Sequence, residues 1–294
     1  MTDKHKPILD ILVPTDFTNN AFHALCYTTQ LLKDRECNIY LLHVYNQRKG
    51  FKTQSINNTI GTSSDELRQE SEVRLEQMHH RVQKKKNNPK HTYKLIVEPD
   101  NLIGVIHSLV DVLGIDLVVL GNKGKKSSIP VFLGDIATKT MESVSKCPVI
   151  TVPKSARITI PREIAFATDF KKPYNPKALN SIRSMALRCG ATLRIVHIQE
   201  KEGLNSLQRT NLDWILAHFE PVPYSLVKMP NFISKAKVLQ VFLEDTNIKM
   251  LAMINNEYTI LEKMLREPII EKMLLKIDIP FFIIPDTTKV SEEF

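Results

Sequence analysis

The chain has 294 residues, 43% of them hydrophobic and 24% charged, a balance that suits two ordinary globular domains and excludes a small module or a wholly disordered chain. The formal net charge is +8 and evenly spread, with 20 Lys and Arg against 16 Asp and Glu on each side of the Pro153–Lys154 bond, so the concentrated basic stripe of a nucleic-acid binder is missing and nucleic acid is not an expected partner. The four cysteines, Cys26, Cys37, Cys147 and Cys189, form no Cys-x-x-Cys pair, which excludes a disulfide framework and points to a reducing compartment.

The opening Met1–Pro7 is polar and no apolar h-region follows it, so no signal peptide is expected. No apolar run approaches the roughly 18 residues of a membrane-spanning helix; a cytoplasmic protein without a membrane partner is the expectation. Ile11–Val13 is the first strand. Thr18 can cap a helix whose apolar face carries Phe22, Leu25, Cys26, Thr29 and Leu32. Asn38–Val44 is the second strand. Ser63 and Glu66 form a capping box before a helix with Leu67, Leu75, Met78 and Val82, which ends in Lys84–Lys86, where cations suit the dipole. Thr92–Val97 is the third strand, followed by a helix with Leu102, Ile106, Leu109, Val110 and Leu113 on one face. Leu117–Leu120 reads as a strand covered on both sides. A last helix with Ile136, Thr140, Met141 and Val144 precedes the strand Val149–Val152.

The pattern then repeats. Ile11–Phe17 resembles Ile164–Phe170, Asn38–Val44 resembles Thr192–Ile198, and Cys147–Pro153 resembles Ile279–Pro285. Three matches in the same order mark a tandem duplication with roughly 20 residues lost from the middle of the second copy, a period far longer than a solenoid unit. Asn175 and Pro176 suit the start of the second copy's first helix, Leu179, Ile182, Ala186 and Cys189 its inner face, and Gly190 its end. Strand–helix alternation implies right-handed crossovers and parallel sheets. The expected fold is therefore α/β: two tandem doubly wound domains, each a mainly parallel five-stranded sheet flanked by helices. The first domain spans 1–153 and the second 161–294, with a linker over 154–160. Ligands of such sheets sit beyond the carboxyl ends of the strands, which selects the loops Pro14–Phe17, Val44–Gln47 and Gly121–Gly134.

Gly121–Asp135 leaves a buried strand and enters a helix with three glycines, three lysines and two serines. Its composition fits equally a phosphate cradle at a helix N-terminus and a solvated basic loop. It is not a P-loop, because two residues separate Gly121 from Gly124 where that motif has four. No G-x-G-x-x-G, G-x-S-x-G, H-E-x-x-H or metal-ligand cluster occurs. His43 and His197, each inside an apolar strand, read as hydrogen-bonded core residues, and Asp16 and Asp169 equally as turn or cap residues.

The Val13–Thr18 opening, Leu42-His43-Val44, Asp116–Gly121, the spacing Gly121-x2-Gly124-x9-Gly134 and Cys147-Pro148-Val149 together resemble the universal stress protein family, along nearly the whole first copy. The resemblance implies an adenine nucleotide, ATP, ADP or AMP, with Mg accompanying it. Pro14, Thr15, Asp16 and Val44 would surround base and ribose. Leu120, Gly121, Gly124 and Gly134 would surround ribose and phosphates, with Lys125 and Ser127 nearby. Asp135 departs from the pattern, which places Ser or Thr after the last glycine; a carboxylate cannot donate to phosphate and repels it. In the second copy Ile254 replaces the first glycine and Arg266 the last, so no phosphate cradle is expected there. The implied function is a stress-response regulator or sensor, with slow ATP hydrolysis at most. A ligand-free interaction module and an adenine-nucleotide-dependent α/β enzyme are the alternatives. Single-domain members often dimerise through the last strand, which implies pairing of Val149–Val152 with Phe281–Ile284 within this chain; a homodimer remains open.

Overall fold

The apolar runs become the centre of one ten-stranded sheet in a computed structural model that describes residues 8–45, 64–122, 139–140, 144, 146–199, 203–230, 235–255 and 278–286. The strands of the first half are β1 (Ile8–Pro14), β2 (Glu36–Tyr45), β3 (His91–Pro99), β4 (Leu117–Asn122) and β5 (Val149–Pro153). Those of the second are β6 (Glu163–Ala167), β7 (Thr192–Gln199), β8 (Tyr224–Pro230), β9 (Met250–Asn255) and β10 (Phe281–Pro285). Among the described residues the helices with defined bounds are α1 (Asn19–Leu31), α2 (Ser64–Lys85), α3 (Leu102–Leu113), α4 (Pro176–Cys189), α5 (Ser206–Phe219) and α6 (Lys235–Asp245).

The strand order is β3-β2-β1-β4-β5-β10-β9-β6-β7-β8. Each half therefore has the same doubly wound order, and all pairings are parallel except β5 with β10. There Phe281, Phe282 and Ile283 face Thr151, Ile150 and Val149 in antiparallel register, so the two halves share one sheet. Alternate strand residues face opposite sides. Ile11, Val13, Ile39, Ile150 and Phe282 join a core that includes buried residues of α1, α2, α4 and α5. Leu12, Leu42, Val149 and Phe281 join another on the opposite face, which includes residues of α3 and α6. Both cores run across the β5–β10 seam.

Local signals fix the helix ends. The Thr18 side chain accepts from Ala21 N, and Asn175 accepts from Lys177 N with Pro176 at the first helical position. Gly190 closes α4 at φ 56°, a left-handed conformation that favours glycine. Ser63, expected in a capping box, lies outside the described residues, as do Ile136 and Met141 of the last helix of the first copy. Thr140 and Val144 are described and buried.

The shortening of the second copy falls in one place. α2 starts at Ser64, 19 residues after β2 ends at Tyr45, whereas α5 starts at Ser206, seven after β7 ends at Gln199, and α2 has 22 residues against 14 in α5. A compensating extension lies in the first loop: α1 starts at Asn19, five residues after β1 ends at Pro14, whereas α4 starts at Pro176, nine after β6 ends at Ala167. Tyr174 occupies the added length, is buried, and shares a 2.9 Å hydrogen bond with Thr168 Oγ1. The repeat is thus less regular than matching its strands suggests.

Candidate functional site

The β1–β4 ladder holds only Ile11–Leu117 and Leu12–Val118. Both strands continue beyond it, β1 to Pro14 and β4 to Asn122, without pairing to each other. They part at the point where the chain's winding direction reverses, which is where open α/β sheets place their ligands. The same happens between β6 and β9, whose ladder ends at Phe166–Ala252.

The residues at this crevice are held by one hydrogen-bonding scheme present in both halves. Thr15 N donates to Leu42 O at 2.7 Å, and Thr168 N to Val196 O at 3.0 Å. The Thr15 hydroxyl accepts from Phe17 N at 3.0 Å, as Thr168 Oγ1 does from Phe170 N at 3.2 Å. Phe17 and Phe170 sit at φ 63° and 57°, a left-handed conformation that bulky residues rarely adopt. Those hydrogen bonds and contact with a histidine ring hold them there: Phe17 lies 4.3 Å from His43 in a tilted pair and Phe170 lies 4.8 Å from His197 in a stacked one, between ring centroids. Each imidazole Nδ1 in turn donates to the threonine carbonyl, at 2.8 Å for His43 and 3.1 Å for His197. Both histidines are thus hydrogen-bonded structural residues. Burial holds the His43 pKa below its ordinary range, against the opposing effect of the Thr15 hydrogen bond.

In the first half the structure brings Pro14, Thr15, Asp16, Val44, Leu120 and Gly121 to one end of the sheet. Pro14, Thr15 and Leu120 are buried, Val44 and Gly121 are half-buried, and Asp16 is exposed. Thr15 supports the site from beneath, because its hydroxyl also donates to Met78 Sδ at 3.2 Å. Asp16 Oδ1 accepts from Thr18 N at 3.1 Å and from Thr18 Oγ1 at 2.5 Å. The turn role is therefore real, and Asp16 still presents a carboxylate to solvent. Gly121 has a packing reason of its own: a Cβ there would lie 2.9 Å from the Asn20 carbonyl oxygen. Gly124, Lys125, Ser127, Gly134 and Asp135 lie outside the described residues.

Sequence reasoning missed the contribution of α2. Arg74 lies 4.2 Å over the Phe17 ring and Arg81 3.8 Å over Phe22. With Gln77 and Met78 they line a cavity of about 240 Å³ beside the first loop. The seven-residue spacing of the two arginines, flanking Met78 on the inner face, was the available signal.

The second half differs at the matching position. Gln208 Nε2 donates to Asp169 O at 2.9 Å, and Asn211 Nδ2 to Phe170 O at 2.8 Å. These bonds draw α5 onto the loop, so Asp169 is buried where Asp16 is exposed. Ile254, in place of Gly121, is buried as well. Among the described residues no group of three His, Cys, Asp or Glu side chains could hold a metal ion, and no helix is long and apolar enough to cross a membrane.

A mainly parallel, doubly wound sheet whose strands part at the switch point defines a doubly wound α/β fold. The family described as "Universal stress protein family" matches residues 8–153, and through this half the chain belongs to that family. A universal stress protein from Archaeoglobus fulgidus shares the fold with TM-score 0.69 at 17% identity, covering 94% of this chain and 98% of that one. A functionally unknown protein from Pseudomonas aeruginosa aligns with TM-score 0.60 at 14% identity, covering 94% and 92% respectively. No curated protein matches the chain in sequence.

Proposed function

We propose that the first half binds an adenine nucleotide and that the protein is a cytoplasmic, nucleotide-responsive regulator of the stress response. The observation that carries this reading is the parting of β1 and β4 beyond Leu12–Val118, with the exposed Asp16 on one side and Gly121 on the other. A carboxylate there can accept from a ribose hydroxyl or an adenine amino group. Val44, half-buried at the end of β2, supplies an apolar wall. Gly124, Gly134, Lys125 and Ser127 would hold the phosphates, and Mg would travel with the triphosphate. Asp135 weakens the triphosphate more than the monophosphate, since its repulsion grows with ligand charge. We assign no reaction, because no nucleophile with an adjacent base lines the crevice among the described residues.

Analysis of the supernatant of denatured purified protein by chromatography and mass tests the proposal. Co-purifying ATP, ADP or AMP is expected. A protein that is empty and gives no calorimetric response to any of them overturns it. Gly124→Val should abolish binding, and Asp135→Ser should tighten ATP; unchanged ATP affinity in the latter would refute charge repulsion. A ligand-free interaction module is the second reading, favoured by the packing of Gly121 on Asn20, which accounts for that glycine without a ligand.

A further inference from the structure

The second half carries a cavity of about 220 Å³ beyond the ends of β6 and β7, lined by Asp169, Lys171, His197, Ile198, Asn205 and Gln208. Asp169 is 5% exposed. Its Oδ1 accepts from Lys171 N at 3.1 Å, but its Oδ2 is buried with no hydrogen-bond partner. An unsatisfied buried carboxylate oxygen is costly and requires an explanation. Among the described lining residues no other buried side-chain atom is left unpartnered: Gln208 and Asn205 satisfy one another in a capping box at the start of α5, and His197 Nδ1 donates to Thr168 O.

We propose that this cavity is a second binding site, for a small phosphate-free molecule that presents an amino or amidine N–H group to Asp169. Three features set its chemistry. The unpartnered oxygen accepts and cannot donate while ionised, so the ligand must donate. The buried Ile254 stands where the first half has Gly121, so a branched side chain rather than bare backbone occupies the end of β9. The volume lies below the roughly 300–1,000 Å³ of pockets for drug-sized ligands, which limits the occupant to a compact molecule. Two of the changes that distinguish the second copy build the site: α5 starts only seven residues after β7 ends, and the Gln208 and Asn211 bonds fix the loop carbonyls against it. This inference is independent of nucleotide binding by the first half.

Benzamidine, a flat amidinium of suitable size, is the probe, with inorganic phosphate as the anionic control and AMP as a separate report on the first half. Calorimetric or NMR titration of the full chain should give saturable benzamidine binding with a Kd of about 1 mM, and none with phosphate. Asp169→Asn should weaken benzamidine at least about tenfold while leaving the AMP response unchanged. Lys171→Glu, at a half-buried lining position, should tighten benzamidine severalfold. Absence of saturable benzamidine binding to the native chain, or equal binding by the Asp169→Asn variant, overturns the proposal. If that variant does not fold, unaltered affinity in Lys171→Glu overturns it instead. Loss of the AMP response alone counts against the first-half reading and leaves this one standing.

Discussion

His43 Nδ1 donates to the carbonyl of Thr15 across 2.8 Å, tying the end of β2 to the loop that carries Asp16. Burial lowers the pKa of His43, and also those of His79 and His91, from the ordinary 6.5. The unfolded chain therefore binds more protons than the folded one below pH 6.5, and stability falls as pH drops from 6.5 through the lowered folded values. Thermal midpoints between pH 7.5 and 5 should show this decline. His43→Asn keeps an N–H donor near Nδ1 but removes the titration, so its decline should be shallower; an identical slope would count against the assignment.

Gly121 is held to its identity by Asn20, whose carbonyl oxygen would lie 2.9 Å from any Cβ. Backbone cannot yield as a side-chain tip can. Gly121→Val should therefore cost about 1–3 kcal/mol of stability, read as a lowered denaturation midpoint. An unchanged midpoint would mean that α1 can move away freely.

Ile150, fully buried and opposite Phe282, lies in a core that spans both halves. Ile150→Ala should destabilise by about 2–5 kcal/mol. Trp214, the single tryptophan, sits in α5 of the other half, so its fluorescence transition should shift together with the far-ultraviolet dichroism. If the Trp214 transition stays in place while the dichroism moves, the halves unfold independently.

All four cysteines are free and buried. Burial pushes the Cys37 and Cys189 thiols up to about 11 and Cys147 to about 12, and raises Cys26 as well. Little thiolate exists at pH 8, so a thiol reagent should label none of them in the folded chain within minutes and all four in denaturant. Rapid labelling of any one in the native protein would contradict the packing around it.

The strands were legible because apolar runs mark a buried parallel sheet directly: Leu117–Leu120 and Val149–Val152 read as strands, and both are. Thr18, Asn175 and Gly190 announced helix ends through local chemistry that needs no tertiary context. The site was only partly legible. Asp16 and Asp169 occupy matching places in sequence, yet one is exposed and the other buried, because the difference arises from Gln208 and Asn211, some 40 residues further along and meaningful only once α5 packs on the loop. Tyr174 was hidden in the same way: an extra stretch of loop looks like slack until its ring is found inside.

The antiparallel meeting of β5 and β10 joins two unlike surfaces made by one polypeptide. In an assembly of identical subunits any substitution at such a contact is imposed on both sides at once, and dilution can separate the partners. Here each flank can change alone, and tethering keeps the other at a constant effective concentration. Covalent fusion thereby lets the trailing half carry loop contacts of its own, such as the Gln208 and Asn211 bonds, without imposing them on the leading half.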